Sequence, residues 1–577
     1  MCEMEPRQPE GSQARALSRK SFPFELGPWR RWVLLLILGS LSELVYVSFF
    51  LRPYPLLKYY ATPFLDLGKI ADRSRLSAAA FAAAFLLLFV LYYAGYRLCL
   101  AQDASHWPWA VLVLATVFSL TLLFVYPVGA VDIFDYIING RILAHYGLNP
   151  FAHVASEFPG DPLAPYAAWQ NIPSAYGPFW AFLAAGINLL AGSADLLANV
   201  WAFKGLAILF YVLDIGLIYG ILAEIKPAYA LPGAFLFAWN PLLLFETAAN
   251  GHNDSVMMFF VLLAIYLLLQ NRAGLSIIAL TCSVMIKFIT IILLPFFLLS
   301  LLGQQEERAR DSWQGGDGGP WERAGLSGQA ELSTAGLRLS GQQITSLIAY
   351  GLLSFGVMAL LYAPFWRGLG TVRLGQRLSM FTDSLPTLLM LLLRLWLDVK
   401  QAKLLVGRLA LAALGFFCLT RLARLASPEQ SRRACPEPCP ERSRRSSRRD
   451  SRRACPERSR RARRPYALIA VSLEVILFYL LFTCTWLQPW YLVWLVALAA
   501  LLPDLDTAHQ AILFTYTMTW AYIVYHFVWF WYIPAMNWMN RLGVHSLAVG
   551  ATLLLPWAFS AYLLWKRRGR AIYESKC

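Results

Sequence analysis

Two aspartates stand three residues apart where a long apolar run ends. The segment "VDIFDYIINGRILAHYGLNPF", residues 131–151, carries Asp132, Asp135, Tyr136 and Asn139 at offsets 0, 3, 4 and 7. Helical periodicity puts these four on one face, with Ile133, Phe134, Ile137 and Ile138 opposite. Arg141 and Leu143 break the pattern after about two turns. A carboxylate held toward a water-filled cleft suits proton removal from a hydroxyl. The simpler alternative is that Asp132 caps the helix and Tyr136 anchors it at a membrane interface. Two acids could also take a divalent cation, although no ligand pattern requires one.

Three other segments carry chemistry. In "WNPLLLFETAANGHNDSVMMFF", residues 239–260, Asn240-Pro241 breaks or kinks a helix, and His252, Asn253 and Asp254 then fall between two apolar runs. Imidazole moves protons or holds an anion near neutral pH; the alternative is a polar turn with Asn253 or Asp254 capping the next helix. Lys287, in "CSVMIKFITIILLPFF", is expensive among apolar neighbours, and its natural partner is an anion such as a lipid phosphate. Snorkelling to an interface is the alternative. In "TWLQPWYLVW", residues 485–494, the rings of Trp486, Trp490, Tyr491 and Trp494 read most simply as an interfacial belt. They would also suit stacking on a sugar or lining a prenyl groove.

These segments need a scaffold. The chain has 577 residues, 58% of them hydrophobic and 15% charged, with a mean hydropathy of +0.51. Soluble domains carry about 25% charged residues. Repeated apolar runs predict an all-α polytopic membrane protein, since lipid offers the backbone no partners. Expected spans are 32–50, 76–100, 107–128, 200–222, 229–247, 255–270, 344–364, 402–423, 466–486, 489–502, 509–531 and 544–565. The run 274–302 reads as one tilted helix or as two short ones hinged near Lys287. The runs 178–192 and 385–397 are short for a span of about 30 Å and read as juxtamembrane helices.

Basic termini place residues 1–31 and 566–577 in the cytoplasm, which requires an even count. Splitting 274–302 in two gives about fourteen spans. The same choice puts loop 129–199, Gly251–Asp254, Lys287 and Trp486–Tyr491 together outside. No cleavable leader is expected, and the first span reads as uncleaved. The divisions that follow are a catalytic membrane half (32–302), a flexible cytoplasmic loop (303–343), a span pair (344–423) with outside loop 365–401, an arginine-rich insertion (424–465) and C-terminal spans (466–565).

Charge excludes one class of partner. The net charge of +16 comes mostly from residues 431–464, where fourteen arginines face four acids. That near-repeat reads as a disordered insertion or a patch for anionic lipid headgroups, not a nucleic-acid site. The nine cysteines show no spacing that demands a disulfide or zinc. Arg367, Arg373 and Arg377 fall in an outside loop against the positive-inside tendency, which phosphate binding would explain. Loop 129–199 is too long for a plain connector. Its His145, His153, Glu157 and Asp161 are expected to be solvated.

The motifs "VDIFDYIINGRILAHYGLNPF", "YGPFW", "NPLLLFETAANGHND", "MIKF" and "QPWYLVW", in that order over roughly residues 107–500, resemble the GT-C class of integral-membrane glycosyltransferases. The nearest likeness is to bacterial polyprenyl-phosphate-mannose-dependent mannosyltransferases of the glycosyltransferase 87 and alpha-1,6-mannosyltransferase type. The resemblance implies a cell-membrane enzyme, in bacteria the inner membrane, with a polyprenyl-phosphate sugar donor, a glycan or lipid acceptor and inversion at the anomeric carbon. In that class an aspartate in the first large outside loop is the base, often four residues before a tyrosine. Asp132 and Tyr136 match, and Asp135 is the reserve. Lys287 and His252, then Arg141 or Arg373, would meet the donor phosphate. Tyr136, Asn139, Asn253, Asp254, Trp490 and Tyr491 would line the substrates. Two departures stand out: two spans precede the one leading into this loop, and the arginine-rich insertion has no counterpart in the class. A flippase for lipid-linked saccharides, or a non-catalytic assembly partner, are the competing readings; the flippase would usually show internal repeats.

Overall fold

The computed structural model describes residues 28–100, 108–192, 195–302, 341–368, 380–426, 457–502, 504–532 and 538–576. Arg373, Arg377 and most of the arginine-rich tract lie outside the described residues. Every regular element among the described residues is helical. The chain is an all-α membrane protein with several spans. Among the described residues, eight helices are long and apolar enough to cross: α1 (Trp29–Leu51), α2 (Arg75–Leu100), α6 (Leu196–Ile225), α12 (Gly341–Phe365), α14 (Val399–Ala426), α15 (Pro465–Thr483), α17 (Leu505–Tyr532) and α18 (Arg541–Lys566).

A ninth arises if α7 (Pro227–Ala238) and α8 (Pro241–Ala249), bent by 51°, count as one span. Fourteen would also require five shorter apolar helices to cross: α3 (Pro108–Leu123), α9 (Asp254–Leu269), α10 (Ala273–Val284), α11 (Phe288–Leu302) and α16 (Pro489–Ala499). Juxtamembrane α4 (Asp132–Ala144) and α5 (Pro178–Ala191) lie side by side in the long loop. α13 (Leu385–Leu393) is the second short apolar piece.

Local chemistry explains where helices start and stop. Asp195 caps α6 through the Ala198 amide at 3.0 Å, and Ser384 caps α13 through the Thr387 amide at 3.3 Å. Asn240 accepts from the amides of Leu242 and Leu243, so the bend before Pro241 keeps its backbone satisfied. The run 274–302 breaks at Met285–Lys287, where Lys287 is extended (φ −135, ψ 123). The two-helix reading is therefore the observed one. Buried Lys204 on α6 donates to the carbonyls of Leu122, Leu123 and Val125, closing the open end of α3.

Two features extend the sequence reading. Helix begins at Glu457, inside the expected insertion, because the Arg and Ala residues there are good helix formers that continue into α15. Thr382 and Trp486 form an isolated parallel bridge: the Thr382 amide donates to Thr485 O at 3.0 Å and the Leu487 amide to Thr382 O at 3.1 Å. That tie fastens the segment before α13 to the loop before α16.

Candidate active site

Three helix breaks and the start of α4 converge. The turn before α9 contains Gly251 at φ +74, where a Cβ would lie 2.7 Å from Ile133 Cδ1. Only glycine allows that turn to press on the first residues of α4. The turn is tied to itself and to the segment before α4: Asn250 donates to Glu246 Oε2 at 3.0 Å and accepts from the Gly129 amide at 3.0 Å. Glu246 lies in a π-helical turn, Phe245–Ala249, a form of helix frequent at functional sites.

His252 sits between two acids. Its Nδ1 is 2.8 Å from Glu246 Oε2, and its Nε2 is 3.7 Å from Asp132 Oδ2. Neither contact has the alignment of a hydrogen bond. The ring stacks on Trp490 with centroids 4.2 Å apart. Asp132 also accepts from Tyr176 Oη at 3.2 Å. Tyr176 Oη lies 3.3 Å from Tyr136 Oη, which donates to Asn253 Oδ1 at 3.3 Å.

Lys287 Nζ is 2.6 Å from Asp254 Oδ2, while Trp494 Nε1 donates to Asp254 Oδ1 at 2.6 Å. The ammonium also lies 5.7 Å above the Tyr176 ring, a cation–π distance. Gly177 fixes this relation. Its amide donates to Ile286 O at 2.9 Å, and a Cβ there would fall 2.1 Å from Met285 O. The residue after Tyr176 is thus seated against the break that presents Lys287.

The capping alternatives fail. Val131 occupies the N-cap of α4 without a side-chain bond, so Asp132 is the first helical residue with its carboxylate turned to His252 and Tyr176. Asn253 is the N-cap of α9 and makes no side-chain cap, while Asp254 is held by Lys287 and Trp494.

Residues 44–303 match the family described as alpha-(1->6)-mannopyranosyltransferase, N-terminal domain. Asp132, Tyr136, Tyr176, Glu246, His252, Asp254 and Lys287 all lie inside that stretch; Trp490 and Trp494 lie beyond it. Alpha-(1->6)-mannopyranosyltransferase A of Corynebacterium glutamicum is 28% identical over 192 residues, which is 32% of this chain and 38% of that protein. The aligned stretch thus spans less than two fifths of that relative.

Within the mannopyranosyltransferase-like stretch, several expected roles change. Asp135 does not share the cleft with Asp132 as the face pattern suggested. It is buried under the loop, where its Oδ1 accepts from the Trp169 amide at 3.0 Å. Burial outweighs that bond and, with the nearby Asp132 charge, pushes its carboxyl up to about 8. Arg141 is buried against Asp161, which also accepts from Tyr146 Oη at 2.6 Å. Nine residues along α4 separate it from Asp132, roughly 13 Å of helix. Asp161 is buried rather than solvated; bonds from Tyr146 and Arg141 overcome its desolvation and hold its carboxyl below the usual range. Asn139 is half-buried two turns along α4 from Asp132.

The aromatic segment is not a belt. Trp490, Tyr491 and Trp494 are buried, with Tyr491 stacked on Trp494 at 4.3 Å. Belt rings would sit at the surface; these wall the site. Arg373 lies outside the described residues. Sequence reasoning missed Tyr176, Glu246 and Asn250. Glu246 stood out as an acid inside the apolar run "PLLLFETAA", while Tyr176 and Asn250 lay unassigned within the motifs "YGPFW" and "NPLLLFETAANGHND". Among the described residues no three His, Cys, Asp or Glu side chains are grouped to hold a metal ion.

Proposed function

We propose that the chain is a membrane mannosyltransferase. It moves mannose from a polyprenyl-phosphate donor to a hydroxyl of a glycan or lipid acceptor on the outer face of a bacterial inner membrane. Asp132 takes the proton of the attacking hydroxyl. That oxygen forms its bond to C1 as the bond from C1 to the phosphate oxygen breaks, with inversion. General-base help of this kind is worth about 10²–10⁴-fold. The leaving polyprenyl phosphate gains charge, and Lys287 is the cation set to receive it in a water-poor site. Its present partner, Asp254, keeps the ammonium compensated until the phosphate arrives. The lipid tail of such a donor stays in the bilayer, which accounts for a membrane fold around a polar site.

The observation that carries this reading is Asp132 at the start of α4, contacted by Tyr176 and His252, inside the stretch that matches the mannopyranosyltransferase family. The test is transfer from radiolabelled polyprenyl-phosphate-mannose to glycan or lipid acceptors by purified protein, wild type beside Asp132→Asn. Transfer lost with donor binding retained supports the base. Equal transfer by both proteins removes it. No transfer by the wild type, with other lipid-phosphate sugars also inert, overturns the enzyme and turns attention to lipid-linked saccharide flipping.

A further inference from the structure

His252 has its surroundings fixed on three sides. Trp490 covers one face at 4.2 Å, Glu246 Oε2 lies 2.8 Å from Nδ1, and Asp132 Oδ2 lies 3.7 Å from Nε2. Glu246 is fully buried, and its other carboxylate oxygen has no partner. A buried acid beside an imidazole assigns the ring proton to the nitrogen it faces. The Nε2 lone pair is then left toward Asp132.

We propose that Glu246 is a positioning residue and His252 the proton acceptor that resets Asp132 between turnovers. This rests on Asp132 being the base. The proton taken from the acceptor hydroxyl passes from Asp132 to His252 Nε2, and Asp132 returns to its carboxylate form. The imidazolium so formed lies between Glu246 and Asp132, which stabilise its charge, and it gives the proton to the departing phosphate. Glu246 itself touches no reacting atom. Other groups facing this line are Asp135 and Tyr136 on α4, Tyr176 in the loop, Asp254 on α9, Lys287 at the α10–α11 break, Lys204 beside Gly251 and Tyr522 beside Asn250. The Lys287 charge is matched by Asp254 at 2.6 Å, which leaves Glu246 as the carboxylate that sets the state of His252.

The test compares Glu246→Gln, Glu246→Asp and His252→Gly with wild type in the same transfer assay across pH. Glu246→Gln should lower kcat roughly 10–100-fold with donor KM within about threefold. Its pH profile should differ from that of wild type, because the group facing Nδ1 has changed. Glu246→Asp should restore part of kcat. His252→Gly leaves a slot against Trp490, and added imidazole should recover transfer there. That rescue decides the matter if Glu246→Gln does not fold. Wild-type kcat and pH profile in Glu246→Gln overturn the relay, as does a rise in donor KM alone, which would make His252 a phosphate ligand. The base reading fails separately, through active Asp132→Asn, and takes the relay with it. Inactive Asp132→Asn beside unaffected Glu246→Gln removes the relay only.

Discussion

Lys287 and Asp254 meet at 2.6 Å in the interior, 33 residues apart in sequence, and each is the other's counterion. The pair joins two helix breaks at the proposed phosphate site. Lys287→Met should lower stability by about 3–5 kcal/mol, since it strands a buried carboxylate. Adding Asp254→Asn should recover much of that loss without recovering donor binding. Thermal melting and binding of a labelled polyprenyl-phosphate sugar separate the two effects. Donor binding in the double variant equal to wild type would remove Lys287 from the phosphate site.

Asp135 supplies a pH prediction. Its carboxyl rises from 3.8 to about 8 on folding, chiefly through burial. Between those values the unfolded chain releases the proton and the folded one keeps it, so stability falls as pH rises from about 4 to about 8. Asp135→Asn removes the penalty and keeps an acceptor for the Trp169 amide. The variant should melt higher than wild type at pH 8–9, by an amount worth a few kcal/mol at most, and match it near pH 4. Transfer at neutral pH should survive within about threefold, in contrast to Asp132→Asn. Loss of transfer in both variants would return Asp135 to the reacting centre.

The Arg141–Asp161 pair predicts a stability defect rather than a binding defect. Both side chains are nearly inaccessible, at 4% and 0% exposure. Arg141→Met should lower the melting temperature and open residues 145–170 to proteolysis, with a cost of about 3–5 kcal/mol. Donor KM in the folded fraction should stay at the wild-type value. A large rise in KM with an unchanged melt would restore Arg141 to the phosphate.

Gly177 tests the seating of Tyr176 against Lys287. Gly177→Ala would place a methyl 2.1 Å from Met285 O. Backbone must move on one side or the other, at about 1–3 kcal/mol. Transfer should fall more than stability, because the shift misplaces both residues. Gly186→Ala on α5, where the methyl meets nothing within 4 Å, is the control and should be neutral or stabilising. Equal behaviour of the two variants would mean that Gly177 has no positioning role.

Much of the scaffold was readable because spans announce themselves by hydropathy and breaks by local chemistry. Asn240-Pro241 and the acid at the start of α4 are local signals, and both fall where expected. The break at Lys287 was only half legible. No glycine or proline marks it in "MIKF", and apolar residues run through it. Asp132 and Asp135 differ by about 60° around the helix, too little for periodicity to separate a cleft carboxylate from one covered by the loop amide of Trp169. Tyr176 reaches Asp132 across 44 residues, α4 and then a long loop, and no pattern in sequence encodes that contact. The tryptophans were misjudged because a belt ring and a buried wall ring have the same composition; only burial distinguishes them.

The proton-bearing groups come from residues 132–287, whereas the stacked wall comes from residues 490–494 and is moored by the Thr382–Trp486 bridge. Two separate stretches of gene therefore build one site. Trp490 stacks on His252, so a change near Thr382 bears on the site from outside the stretch that carries its acids and its cation. In the proposed enzyme that small tether would be a place to graft a different wall onto the same acids and cation.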